Sequence, residues 1–162
     1  MKRRELFSSL ASSVKNAAQE KQEKVVRPPY NNDEALFLSE CSKCDAKCAT
    51  VCEVEIIKIA QDSTPYLDFS KNGCTYCDDC VSACDFGVLT LDNQHHIEAN
   101  VIINKDKCVS YEGVMCFSCK DPCIDNAIDF QAMFMPTINE KCTSCGFCIS
   151  RCPVEAIEVK VS

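Results

Sequence analysis

Sixteen cysteines set in four groups of four constrain this chain more than any other feature of its 162 residues. The groups are Cys41, Cys44, Cys48 and Cys52; Cys74, Cys77, Cys80 and Cys84; Cys108, Cys116, Cys119 and Cys123; and Cys142, Cys145, Cys148 and Cys152. With these set aside, and with no Trp, little apolar material remains for a core. A chain so poor in core needs disulfides or bound metal to offset its conformational entropy. The opening stretch, MKRRELFSSLASSVKNAAQEKQEK, has no apolar run of the kind that marks a secretory signal. Lys15 and several Ser, Asn and Gln interrupt it, and Arg3-Arg4 with Leu6-Phe7 is only a faint echo of a twin-arginine signal. A cytoplasmic, reducing location is therefore expected, where clustered cysteines bind metal or carry redox chemistry.

The second group (Cys74, Cys77, Cys80, Cys84) and the fourth (Cys142, Cys145, Cys148, Cys152) have the C-x2-C-x2-C-x3-C spacing of bacterial ferredoxins. Thiolates two residues apart let one tight loop wrap three corners of an iron–sulfur cubane, while the fourth cysteine starts a helical turn and points away. In two-cluster ferredoxins that fourth cysteine ligates the partner cluster, so such units work in pairs. The spacing leaves the pairing open: first with second and third with fourth, or first with fourth and second with third. The first group has one extra residue between Cys44 and Cys48, and the third separates Cys108 from Cys116 by seven residues, in a loop containing Gly113. A 4Fe-4S cluster is expected at each, with a labile or three-iron centre as the alternative for the third, giving three to four clusters. Structural zinc usually takes two cysteine pairs held apart by a spacer, or pairs with His, and compact groups of four fit it less well. His95-His96 read as a solvated turn. Asp78 and Asp79 stand beside predicted ligands, where their charge would lower the reduction potential.

Aligned on the last cysteine of each group, the following segments are EVEIIKI, DFGVLTL, IDNAIDF and PVEAIEV. Ile57, Leu89, Ile128 and Ile157 stand five residues on; Ile59, Leu91, Phe130 and Val159 stand seven on. That alternation predicts a short half-buried strand after every group. Tyr66–Phe69, Val101–Ile103 and Met133–Ile138 form apolar runs ahead of three groups. The expected fold class is α+β: tandem bacterial-ferredoxin-like modules, small and loop-rich, held by 4Fe-4S clusters. Three segments follow from this: a basic, partly helical or disordered arm over 1–30, a first pair of groups over 31–98 and a second over 99–162. Leu6, Leu10 and Val14 recur at helical spacing in the arm, which Pro28-Pro29 would end.

Charge separates the arm from the body. Seven basic and three acidic side chains fall in residues 1–30, leaving ten basic and twenty-one acidic for 31–162. An acidic body disfavours nucleic acid, whose phosphates demand clustered Lys and Arg. No apolar segment is long enough for a membrane span. Nucleotide-cradling glycine loops and paired His and carboxylate groups are missing, so neither an enzyme nor a small-molecule substrate is expected. One-electron transfer is the chemistry available.

The twin-Arg start, Arg27-Pro28-Pro29-Tyr30, Phe37-Leu38 ahead of Cys41, the seven-residue gap after Cys108 and the Cys152-Pro153-Val154 ending carry a resemblance. On these residues the chain resembles the NapF family, ferredoxin-type accessory proteins of periplasmic nitrate reductase systems. The extra residue between Cys44 and Cys48 departs from that family's pattern. The resemblance implies a cytoplasmic protein that helps mature the molybdenum-containing catalytic subunit by contacting its precursor, with all sixteen cysteines as cluster ligands. An electron carrier serving a redox enzyme is the alternative.

Overall fold

The strands expected around the cysteine groups set the architecture of the protein, described here for residues 25–30, 33–92 and 96–161 of a computed structural model. Helix α1 (Glu34–Glu40) is capped by Asp33, whose carboxylate accepts from the Ala35 N–H at 2.8 Å. A 3-10 turn over Cys41–Lys43 leads into α2 (Lys47–Thr50), β1 (Ile57–Ile59) and β2 (Pro65–Leu67). Next come α3 (Asp79–Ser82), β3 (Ala99–Ile103), β4 (Ile128–Gln131), β5 (Phe134–Ile138), α4 (Phe147–Arg151) and β6 (Ile157–Val161).

The strands pair as three antiparallel ribbons. β1 lies against β2 with Ile57 opposite Leu67, and β4 against β5 with Ile128 opposite Ile138. β3 pairs with β6, Ala99 opposite Val161 and Ile103 opposite Ile157, so the first strand ahead of the third group meets the strand after the fourth. The earlier part of the chain repeats this closure with less regular structure: the strand expected after the second group does not form, because the chain is still turning through Gly87 (φ 65°) as it reaches Leu89. Leu67 donates its N–H to the Val26 carbonyl at 2.8 Å, and Thr90, just past Leu89, donates to that of Tyr30 at 3.0 Å.

That closure shortens the expected arm. Pro28 and Tyr30 are fully buried, and Arg27 fastens the segment by pairing with Glu34, donating to Thr64 Oγ1 and the Pro65 carbonyl, and stacking 4.9 Å above the Phe37 ring. Residues 25–30 thus belong to the body because they cover its apolar face; the helix expected over residues 4–20 lies outside the described residues.

Positions five residues past the last cysteine are buried in all four repeats, whereas Ile59 and Leu91, seven past, are exposed. The position four past is buried as well: Ile56, Val88, Ala127 and Ala156. Two adjacent buried residues mean that the chain is still turning there, and regular alternation begins only afterwards. One core gathers Tyr30, Phe37, Ile56, Leu67, Phe69 and Ile97; the other consists of Val101, Ile128 and Ile157 with Cys119 and Cys148. Cysteines complete these cores, so folding is tied to whatever the thiols hold.

Candidate metal centres

Each cysteine loop is shaped by residues in the left-handed region. Ala46 (φ 55°), Asp78 (φ 64°) and Gly146 (φ 86°) precede α2, α3 and α4, and each lies between the second and third cysteines of its group. The turn they make swings Cys48, Cys80 and Cys148 back over the loop as the first residues of a helix. The third group has no helix at this point; Lys120 N–H closes a turn onto the Phe117 carbonyl at 2.8 Å. A second left-handed residue recurs three positions after the last cysteine of every group: Glu55 (φ 55°), Gly87 (φ 65°), Asn126 (φ 52°) and Glu155 (φ 50°). Its N–H caps the cysteine carbonyl at 2.9, 3.3, 3.2 and 3.3 Å in turn. For a residue with a Cβ this conformation costs about 1–2 kcal/mol, a strain that persists only where the surroundings impose it.

The turn aims a backbone N–H at sulfur. Ala127 donates to Cys123 Sγ at 3.2 Å, Ala156 to Cys152 Sγ at 3.2 Å and Leu89 to Cys84 Sγ at 3.5 Å. In the third and fourth groups the donor is an Ala four residues past the cysteine, and in the second it is Leu89, five past. This was legible in principle, since Ala recurs four residues past Cys123 and Cys152, but strand alternation gave no reason to look for it.

The sixteen thiols line four cavities, four to a cavity. Cys41, Cys44 and Cys48 meet Cys84 beneath Phe37. Cys74, Cys77 and Cys80 meet Cys52 beside Tyr30. Cys108, Cys116 and Cys119 meet Cys152 beside Pro136, and Cys142, Cys145 and Cys148 meet Cys123 beside Ile128. Each takes three cysteines from one group and its fourth from the neighbouring group, so the first and second groups share two cavities and the third and fourth share the other two. The cavities enclose about 340–360 Å³ of atom-free space apiece, part of it open to solvent.

The irregular groups reach this arrangement by local adjustment. The extra residue of the first group falls in the Cys44–Cys48 gap, where Ala46 turns through the left-handed region into α2. In the third, Val114 N–H bonds back to the Val109 carbonyl at 3.1 Å and the Tyr111 hydroxyl donates to the Pro136 carbonyl at 3.0 Å, folding the seven-residue gap onto β5. Asp78 accepts a short hydrogen bond from the Tyr30 hydroxyl, so it is tied to the core rather than solvated. His96 is exposed and lines none of the four cavities; His95 lies outside the described residues.

The donor set fits an iron–sulfur cubane. All sixteen cysteines are free thiols, which sets a disulfide framework aside. Among the described residues no three Cys, His, Asp or Glu side chains converge tightly enough to hold a single metal ion. Thiolates on one tetrahedral zinc, with Zn–S of about 2.3 Å, must lie within about 4 Å of one another, so these wider quartets suit a larger body with ligands at its corners. Burial, then the neighbouring thiols, pushes Cys80 and Cys148 up to about 12 and Cys48, Cys74 and Cys119 up to about 11. Backbone N–H groups of Tyr76, Ser144 and Phe147 work the other way on Cys74, Cys142 and Cys145. Without iron, the Cys48, Cys74, Cys80, Cys119 and Cys148 thiols are neutral at pH 7, and the positive charge of iron is what would turn them into thiolates.

Loop-rich structure, short ribbons and thiol quartets define a ferredoxin-type 4Fe-4S protein, and residues 135–158 match the family model described as a 4Fe-4S binding domain. Relatives extend the likeness over the chain. It is 34% identical to the ferredoxin-type protein NapF of Escherichia coli K12, covering 82% of each, and 32% identical to that of Haemophilus influenzae, covering 82% of this chain and 77% of the relative. A methylamine utilization ferredoxin-type protein, MauM of Methylophilus methylotrophus, is 28% identical over 85% of this chain and 70% of its own. The chain belongs to the NapF family of ferredoxin-type proteins. Among the described residues no helix is long and apolar enough to cross a membrane.

Proposed function

We propose that this chain holds four 4Fe-4S clusters, one in each thiol quartet, and that it acts in the cytoplasm on the molybdenum-containing catalytic subunit of a periplasmic nitrate reductase before that subunit is exported. The observation that carries the cluster reading is the sorting of sixteen cysteines into four cavities of nearly equal size. Membership of the NapF family supports the nitrate reductase assignment. Bound clusters supply one-electron storage and transfer at potentials set by hydrogen bonds, charge and burial. The residues of this chain supply the rest: thiols to hold the group, N–H donors from Ala127, Ala156 and Leu89 to stabilise charge on sulfur, and Phe37, Ile56 and Ile128 to limit water.

Anaerobic co-purification tests the partner. The protein is expected to retain the cofactor-free precursor of the catalytic subunit and to release the mature, exported form; equal binding of both, or of neither, contradicts a maturation role.

A second reading, an electron carrier serving a redox enzyme, is favoured by one observation: the second and fourth cysteine loops touch, with Cys74 N–H bonded to the Cys145 carbonyl at 2.6 Å. Rapid oxidation of the reduced protein by mature reductase, without preference for the precursor, would favour this reading.

A further inference from the structure

We infer that the four sites form one continuous electron path in the order first, second, fourth, third, and that the two halves exchange single electrons across a built junction between the Cys74 and Cys145 loops. The inference rests on the four-cluster reading above and adds to it an order and a crossing point.

Within each half, continuity is covalent. Cys48 lines the first cavity and Cys52, one helical turn on, lines the second; Cys80 and Cys84 bridge the same two in the opposite sense. Cys119 and Cys123, with Cys148 and Cys152, bridge the third and fourth. Between halves the chain offers a different connection. Cys74 lines the second cavity, Cys145 lines the fourth, and a single hydrogen bond of 2.6 Å joins their backbones. The Tyr76 hydroxyl donates to the Thr143 carbonyl beside it.

Two glycines keep this approach close. A Cβ on Gly73 would lie 2.5 Å from the Phe147 nitrogen and 2.7 Å from the Cys145 oxygen, so no larger residue fits without parting the loops. A Cβ on Gly146 would lie 2.2 Å from the Phe69 ring, which belongs to the opposite half. Glycine on each side of a contact, where side-chain-free backbone meets a neighbour, marks close approach as the function of the position. At the outer ends, exposed Phe86 and Val154 stand in the walls of the first and third cavities, so those two are placed to meet redox partners.

The step across the junction is a bare electron transfer. The occupant of one cavity is oxidised by one electron as the other is reduced by one; no bond forms or breaks and no proton is required. Tunnelling falls steeply with distance, so contact between these two loops decides whether the halves form one relay or two.

The test uses the full chain loaded with iron and sulfide under anaerobic conditions and reduced with dithionite. In a Cys44→Ser/Cys116→Ser double variant, which leaves the second and fourth quartets whole, the account expects half the wild-type iron and an EPR spectrum broadened by magnetic interaction between the two remaining centres. Adding Gly73→Val is expected to remove that broadening with the iron unchanged. Two sharp, independent signals in the double variant would overturn the junction while leaving the clusters standing; absence of iron and sulfide from the wild-type protein would overturn the cluster reading itself. The intact protein gives a second measurement, free of ligand loss: Gly73→Val should weaken the spin–spin interaction seen in the fully reduced wild type, and an unchanged spectrum at equal iron content contradicts the path.

Discussion

Cys84 stands in one cavity with Cys41, although it closes the second cysteine group and Cys41 opens the first. The exchange is reciprocal, since Cys52 from the first group completes the quartet of Cys74, Cys77 and Cys80. It follows from the helical turn between the third and fourth cysteines, which sends consecutive thiols to opposite ends of the turn.

Replacing Cys84 by Ser should therefore damage the first centre and spare the second. The expected EPR spectrum resembles that of Cys44→Ser and differs from that of Cys77→Ser. A Cys84→Ser spectrum matching Cys77→Ser would mean that each group closes on itself.

Loading should release protons. Burial holds Cys80 and Cys148 up to about 12 when no iron is bound, so these thiols are protonated at pH 7 and must lose their protons to become ligands. The sign follows directly: apparent iron affinity rises with pH through the neutral range and keeps rising until the raised thiol values are reached. Reconstitution in weak buffer with a pH indicator, repeated at pH 6.5 and 8.5, measures both the protons released and the change in affinity.

The third centre depends on a contact outside its own ligands. Tyr111→Phe removes the hydroxyl that pins the seven-residue gap to Pro136, a loss of about 1 kcal/mol for a part-buried neutral hydrogen bond. Chelator challenge should then extract iron from the Cys108, Cys116, Cys119 and Cys152 site several times faster, with the other three sites unchanged.

Phe37 joins the body to its first site. Fully buried, stacked under Arg27 and lining the first cavity, it is expected to cost about 3–5 kcal/mol when changed to Ala. Anaerobic denaturant unfolding of the loaded protein should show that loss, together with selective bleaching of one centre.

Much of this arrangement could be read from spacing, and the parts that could not share one cause. Cysteine intervals and the apolar residue five positions past each group are local, and they marked out the loops and three strand starts, at Ile57, Ile128 and Ile157, but no strand begins at Leu89. Which fourth cysteine meets which triplet depends on how two loops pack together, and spacing alone left two pairings open. The left-handed turns at Glu55 and Glu155 escaped notice because Glu has no preference for that conformation. Arg27-Pro28-Pro29-Tyr30 looked like the end of a linker, yet it closes the core through Arg27 and Tyr30, whose partners lie far along the chain. The Cys74–Cys145 contact is also long-range, and a glycine in a loop does not by itself say what approaches it.

Counting iron and acid-labile sulfide in protein purified without oxygen tests the central claim most directly. Four 4Fe-4S clusters on sixteen cysteines require one iron and one sulfide for every cysteine in the chain. Metal without sulfide, or one metal ion for every four cysteines, would show that the quartets hold single ions and would contradict the account.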